Sequence, residues 1–132
     1  MEYRRMGRSG LKVSEVCLGT MTFGHSTDQQ ESQKIVDLAF DAGINFFDTA
    51  EMYPVGASEE VLGRALKDLG VDRDDVVIAT KCFGGTHDRA RNRCGLSRKN
   101  VIESCNASLA RLGTDFIDLL EMFENDPGTE SI

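Results

Sequence analysis

The chain has 132 residues, of which 40% are hydrophobic and 28% charged, a composition that suits one globular domain and excludes a disordered chain. The 22 acidic and 15 basic residues give a net charge of −7. This charge argues against a nucleic-acid or membrane-surface partner, because such partners are bound chiefly through Lys and Arg. No apolar run reaches membrane-spanning length, and the first twenty residues lack the apolar centre of a signal peptide.

The cysteines show no C-x-x-C pairing and no nearby histidine cluster, which argues against a zinc site or a disulfide scaffold. They are Cys17, Cys82, Cys94 and Cys105. The sequence therefore predicts reduced thiols in a cytoplasmic protein. His25 and His87 fall in predicted loops away from other ligand types, so no metal site is expected.

The first segment of the chain is predicted to be a β-hairpin, residues 1–14. Residues 3–6 and 11–13 flank Gly7-Arg8-Ser9-Gly10, a glycine-bounded turn. An apolar run at 16–18 then predicts the first strand of a second unit.

The first helix is predicted from a capping box, Thr27 with Gln30 three residues later. One apolar face follows, and Gly43 marks the stop. The face comprises Ile35, Leu38, Ala39 and Ala42.

The same order of strand and helix then recurs. A strand at 44–47 precedes a helix that begins at Ser58 and ends at Gly70, and a continuous apolar strand at 76–80 is predicted to be covered on both faces. A helix capped by Ser97 and a strand at 116–120 complete the pattern. The inward faces predicted for these two helices are Leu62, Ala65, Leu66 and Leu69, and then Ile102, Cys105, Leu109 and Leu112.

The spacing of these elements predicts an α/β fold of the TIM-barrel type. Each strand-and-helix repeat takes about thirty to forty residues, close to one eighth of a ~250-residue (β/α)8 barrel. We therefore expect a parallel half-barrel of four strands and three helices over 15–123, a tail over 124–132, and a single domain overall. A doubly wound sheet is the alternative, but its G-x-G-x-x-G after the first strand is absent.

Three residues that can bear charge or move a proton follow neighbouring strands. Asp48 ends the second strand, Lys81 ends the third, and Tyr53 lies in the loop after Asp48. Parallel α/β folds gather such residues at the carboxyl edge of the sheet. A lysine ~4 Å from a tyrosine favours the phenolate by about 4 kcal/mol at an effective dielectric of about 20. The trio therefore predicts a general acid, Tyr53, with Asp48 holding Lys81 in place.

Three local features are interpreted as structural. Residues 58–60, Ser-Glu-Glu, start a helix whose dipole favours the acids. Gly63 is expected to permit close packing of its helix against the sheet, since an unneeded helical glycine costs ~1 kcal/mol. Cys82 is interpreted as a passive neighbour of Lys81, with a reactive thiol of lowered pKa as the alternative.

The segment FFDTAEMYPVGASEEVLGRAL at 46–66 resembles the aldo-keto reductase signature. The resemblance extends through LGTMTFG at 18–24, Thr80-Lys81 and the segment 95–120. It implies NADPH-dependent reduction of a small carbonyl substrate, with Tyr53 as proton donor, Lys81 supporting it, and Asp48 paired with Lys81 and touching the nicotinamide ribose. Thr20 and Met21 match family positions beside the nicotinamide.

Two departures from the family pattern are expected to matter. Phe123 stands where the family has a histidine of the substrate pocket, and it cannot donate a hydrogen bond to a carbonyl oxygen. With the chain ending at Ile132, most dinucleotide contacts of the family are missing. Four strands also leave two open edges, so we expect a homo-oligomer or a pairing with a complementary half-barrel. A catalytically silent half-barrel that acts by association remains the alternative to a truncated reductase.

Overall fold

The computed structural model describes residues 1–84 and 92–122. An antiparallel hairpin precedes a parallel sheet of order β3-β4-β5-β6, with a helix after each of its first three strands. The elements are β1 Tyr3–Arg5, β2 Lys12–Ser14, β3 Leu18–Gly19, α1 Gln29–Asp41, β4 Phe46–Asp48, α2 Ala57–Leu69, a 3-10 helix Arg73–Asp75, β5 Val77–Cys82, α3 Arg98–Leu112 and β6 Leu119–Met122. The predicted α/β half-barrel with its N-terminal hairpin is confirmed. The predicted tail at 124–132, with Phe123, lies outside the described residues.

The hairpin is fastened to the amino end of β4. The amide of Ser14 donates to Asn45 Oδ1 at 2.7 Å, and Asn45 Nδ2 donates to the Lys12 carbonyl at 3.1 Å. The Tyr3 hydroxyl donates to the Gly43 carbonyl at 2.8 Å. Because Asn45 directly precedes β4, these bonds hold the hairpin against the end of the sheet that lies opposite the carboxyl edge.

The sheet packs its outer face on the helices. Phe47 and Ile78 lie on that face and join Val36, Leu62 and Leu66 in the core. Residues of β5 are buried throughout, as the continuous apolar run predicted. Side chains alternate along a strand, so Asp48 and Lys81 point to the opposite, inner face.

All four strands of the parallel sheet begin later than predicted, β4 at Phe46 instead of residue 44 and β5 at Val77 instead of residue 76. Strands were expected at 16–18 and 116–120, but β3 begins at Leu18 and β6 at Leu119. Val16 and Phe116 are exposed. The Phe116 ring instead packs against the Arg73 guanidinium, whose central carbon lies 4.0 Å from the ring centroid. Parallel pairing sets the start of each strand, since β6 pairs with β5 only from Leu119 opposite Ala79.

The cap and inward face predicted for α1 are wrong in part. Asp28, not Thr27, is the N-cap, and its carboxylate accepts from the Glu31 amide at 2.9 Å. Leu38 is 69% exposed, and Ala42 is also exposed. The buried residues are Ser32, Val36 and Ala39. The buried face of α1 differs from the predicted one because α1 packs on α2. Gln33 Nε2 donates a hydrogen bond to the Ala65 carbonyl of α2 at 3.1 Å.

The inward face predicted for α3 is also mostly wrong. Ser97 is the N-cap as predicted, but Ile102 is exposed, and Cys105 and Leu109 are only half-buried. The helix buries three small or polar residues, Asn100, Ser104 and Ser108, and of the predicted face only Leu112 is fully buried. Small side chains permit a close approach to α2, which a row of leucines would prevent.

Helices α2 and α3 approach each other closely at Gly63 and Leu112. A Cβ placed on Gly63 would overlap the Leu112 carbonyl oxygen and lie 2.7 Å from its carbon and 2.8 Å from its Cα. The glycine therefore accommodates the end of α3, and the prediction that it packs against the sheet is wrong.

We expect Gly63→Ala to destabilise the fold by about 1–3 kcal/mol, although alanine in an unhindered helix is stabilising by ~1 kcal/mol. Urea denaturation would measure the change. Gly19→Ala is the control, since a Cβ at Gly19 meets nothing within 4 Å. A stabilised Gly63→Ala variant would contradict the close packing of α2 and α3.

Candidate active site

Asp48 and Lys81 meet at the carboxyl edge of the sheet. The Lys81 ammonium donates to Asp48 Oδ1 at 2.6 Å, to Asp48 Oδ2 at 2.5 Å and to the Thr49 carbonyl at 2.9 Å. These acceptors match the three donors of an ammonium group. Lys81 is nearly buried, whereas the Asp48 side chain is 26% exposed. The two side chains thus form a fixed ion pair with one side open to solvent.

Tyr53 lies beside this pair, in the loop between β4 and α2. Lys81 Nζ lies 5.2 Å from the centroid of its ring, within the range of a cation–π contact. The loop is held on both sides of the residue, since the Tyr53 amide donates to the Ala50 carbonyl and the Tyr53 carbonyl accepts from the Ser58 amide. The structure therefore brings together the three residues that the sequence singled out.

The two residues predicted beside the nicotinamide differ in their surroundings. Thr20 is fully buried, and its hydroxyl donates to the Asp48 carbonyl at 3.0 Å. Met21, the next residue, is 64% exposed. Met21 can meet a ligand at this edge, while the Thr20 side chain ties the end of β3 to β4.

The first turn of α2 contains two further candidate site residues, Ser58 and Glu59, which the sequence alone indicated only as the start of a helix. Ser58 and Glu59 are fully buried. The Glu59 carboxylate accepts from the Thr80 hydroxyl at 2.6 Å and pairs with Arg111 Nε at 2.5 Å. Helical spacing could have indicated this burial, because Glu59 lies three and seven residues before Leu62 and Leu66, on their face of the helix.

The pKa values of two neighbouring thiols, the buried Cys82 and the exposed Cys17, are raised. Desolvation, followed by the negative charge of Glu51, raises the pKa of Cys82 from 9.0 to about 11. Desolvation, followed by Asp48, raises the pKa of Cys17 to about 11. The unfolded thiols ionise first, so stability falls as the pH rises from 9 towards 11. These values support Cys82 as a passive neighbour of Lys81 at neutral pH.

In the described part of the chain, no group of three or more His, Cys, Asp or Glu side chains could hold a metal ion. Within the same residues, no helix is long and apolar enough to cross a bilayer. His87 and Phe123 fall outside the described residues.

A sequence model of the aldo/keto reductase family matches residues 15–131. A probable voltage-gated potassium channel subunit beta from Oryza sativa subsp. japonica is 43% identical over 130 residues, covering 98% of this chain and 39% of that protein. The Arabidopsis thaliana protein of the same description is 44% identical, with the same coverage. Versiconal hemiacetal acetate reductase of Aspergillus parasiticus is 40% identical over 151 residues, covering 98% of this chain and 44% of that enzyme.

The chain thus spans about two fifths of the length of these curated relatives. The family match nevertheless takes in nearly the whole chain and includes the parallel sheet and the residues gathered at its carboxyl edge. The chain belongs to the aldo/keto reductase family.

Proposed function

We propose that the chain contributes the proton-donating side of an NADPH-dependent carbonyl reductase. The observation that carries the proposal is the Lys81 ammonium, held by Asp48 and by the Thr49 carbonyl and lying 5.2 Å from the Tyr53 ring. Family membership supports an oxidoreductase scaffold. The name of the Aspergillus parasiticus relative, a reductase, supports the same reaction class.

Tyr53 is the proposed general acid. NADPH, when bound, supplies a hydride to the carbonyl carbon. Tyr53 donates its phenolic proton to the carbonyl oxygen, which becomes the alcohol hydroxyl. The positive charge of Lys81 stabilises the phenolate that remains, and Asp48 holds Lys81 in place.

The residues present fit the nicotinamide end of the cofactor. Met21 offers an exposed apolar surface two residues after the end of β3, at the carboxyl edge of the sheet. The Asp48 carboxylate is partly exposed, and its oxygens have lone pairs beyond those used by Lys81, so it can accept from a ribose hydroxyl. Thr20 would position Asp48 through its hydrogen bond to the Asp48 carbonyl.

Calorimetric titration with NADPH tests this proposal. Binding tighter than about millimolar, near −4 kcal/mol, is expected. Met21→Asp should weaken it, because the new carboxylate would repel the anionic cofactor. Leu38→Asp is the matched control, since Leu38 is similarly exposed, at 69% against 64%, but lies on the outer surface of α1. No binding, or equal losses in both variants, would contradict a nicotinamide site at Met21.

A second candidate function is association without catalysis. Within the described residues β3 and β6 each pair on one side only, and Val16 and Met122 are exposed near these edges. Two relatives are named as channel subunits, which fits a protein that assembles with partners. We propose a homo-oligomer or a complementary half-barrel as the partner. Light scattering should show an oligomer, and a stable compact monomer would refute self-association.

The compartment proposed is the cytoplasm. Cys17, Cys82, Cys94 and Cys105 are all free thiols, the state that a reducing compartment maintains.

A further inference from the structure

Three buried threonines stand next to the residues of the candidate active site. Thr20 precedes Met21, Thr49 follows Asp48, and Thr80 precedes Lys81. All three are fully buried. Thr20 and Thr49 directly follow β3 and β4, and Thr80 lies in the second half of the adjacent strand β5. The Thr49 and Thr80 hydroxyls hydrogen-bond to the first turn of α2, and the Thr20 carbonyl accepts from the Ser58 hydroxyl of the same turn.

Ser58 joins two of these strand ends. Its hydroxyl donates to the Thr20 carbonyl at 2.7 Å and lies 2.8 Å from the Thr20 hydroxyl and 2.9 Å from the Thr49 hydroxyl. The Ser58 amide donates to the Tyr53 carbonyl at 2.9 Å. One buried residue therefore connects the ends of β3 and β4 with the loop that presents Tyr53.

Glu59 joins the third strand end. Its carboxylate accepts from the Thr80 hydroxyl on one oxygen and from Arg111 on the other. Successive side chains of a strand point to opposite faces. Holding Thr80 on the outer face therefore determines where the Lys81 side chain leaves the strand on the inner face.

The charge on Glu59 is not explained by stability alone. A buried ion pair can often be replaced by apolar side chains of similar volume without loss of stability. The Glu59–Arg111 pair does more than fill space, because its carboxylate also holds the hydroxyl beside Lys81. A directional bond to a strand end specifies position in a way that apolar packing does not.

We propose that Ser58 and Glu59 are positioning residues that hold the three strand ends so that Asp48, Tyr53 and Lys81 meet. This inference rests on the proposed function for its catalytic consequence. The positioning itself can be measured without any cofactor.

The test compares Thr80→Val, which removes the hydroxyl, with Thr80→Ser, which keeps it. Thr114→Val is the matched control, because the Thr114 hydroxyl also hydrogen-bonds, to Arg73 Nε at 3.1 Å, but lies in the loop after α3. Thr80→Val should lower kcat by about ten- to a hundredfold, with the KM for the carbonyl substrate changed less than about twofold. Thr80→Ser should restore kcat, and Thr114→Val should leave it unchanged.

Lysine side-chain NMR gives the second readout. The Lys81 ammonium, with all its donors engaged, should show a slowly exchanging signal that Lys81→Met removes. That signal should be lost in Thr80→Val and kept in Thr80→Ser and Thr114→Val. If Thr80→Val does not fold, Thr49→Val provides the same comparison through Ser58.

An unchanged Lys81 signal in both Thr80→Val and Thr49→Val overturns the positioning role. So do equal losses of kcat in Thr80→Val and Thr80→Ser. If the wild-type chain reduces no carbonyl but the Lys81 signal responds as expected, the proposed function fails and the positioning role stands.

Discussion

Replacing Tyr53 by phenylalanine should lower the rate of carbonyl reduction by about a hundred- to ten-thousandfold, the range that a positioned general acid contributes. Phenylalanine keeps the ring beside Lys81 and removes only the hydroxyl that donates the proton. NADPH oxidation in the presence of an aldehyde would measure the rate. Calorimetry would show whether cofactor binding is retained, as the removal of the phenolic hydroxyl alone predicts.

The chain supplies its own control for this experiment. Its other tyrosine, Tyr3, donates a hydrogen bond to the Gly43 carbonyl between the hairpin and the start of β4. Tyr3→Phe should cost about 1 kcal/mol of stability and leave turnover unchanged. Full activity in Tyr53→Phe, or equal losses in the two variants, would remove Tyr53 from the reaction.

Replacing Glu59 by alanine should destabilise the fold by about 3–5 kcal/mol, because it leaves the guanidinium of Arg111 without its carboxylate in a largely buried place. The Thr80 hydroxyl also loses its acceptor. A loss of this size is a large fraction of the 5–15 kcal/mol stability usual for a domain. Urea denaturation followed by circular dichroism would measure it.

Glu103→Ala is the matched control for Glu59→Ala. Glu103 is also a helical glutamate, and it pairs with Lys99 one turn away on the exposed surface of α3. Its removal should leave stability almost unchanged, since exposed ion pairs contribute little. The double variant Glu59→Leu with Arg111→Met should recover part of the loss, because no charge is then left buried. Equal effects of Glu59→Ala and Glu103→Ala would contradict the burial of Glu59.

The sequence by itself predicted the order of strands and helices, the parallel sheet and the placing of Asp48, Tyr53 and Lys81 at one edge. Those features depend on short-range pattern. An apolar run such as that of β5, a glycine stop at Gly70 and an N-cap at Ser97 each act within a few residues. The family signature, read in order along the chain, led to the same family that the sequence model matches.

Helix faces and strand starts were decided by the tertiary structure. Apolar spacing predicted that Leu38 and Ile102 face inward, yet both are exposed. The reason is that α1 and α3 pack against α2 through polar and small side chains. The start of β6 depends on its pairing with β5, a contact across about forty residues of sequence.

The tertiary structure also decided which residues hold the candidate site in place. A serine and a glutamate at a helix start indicate a cap and a favourable dipole when they are read locally. Only the packing of α2 across the ends of β3, β4 and β5 buries Ser58 and Glu59 and places them against three threonines that are far apart in the chain. The sequence identified the residues that carry charge and protons, and the fold decided which residues hold them, because hydrogen bonds between distant segments leave no periodic pattern.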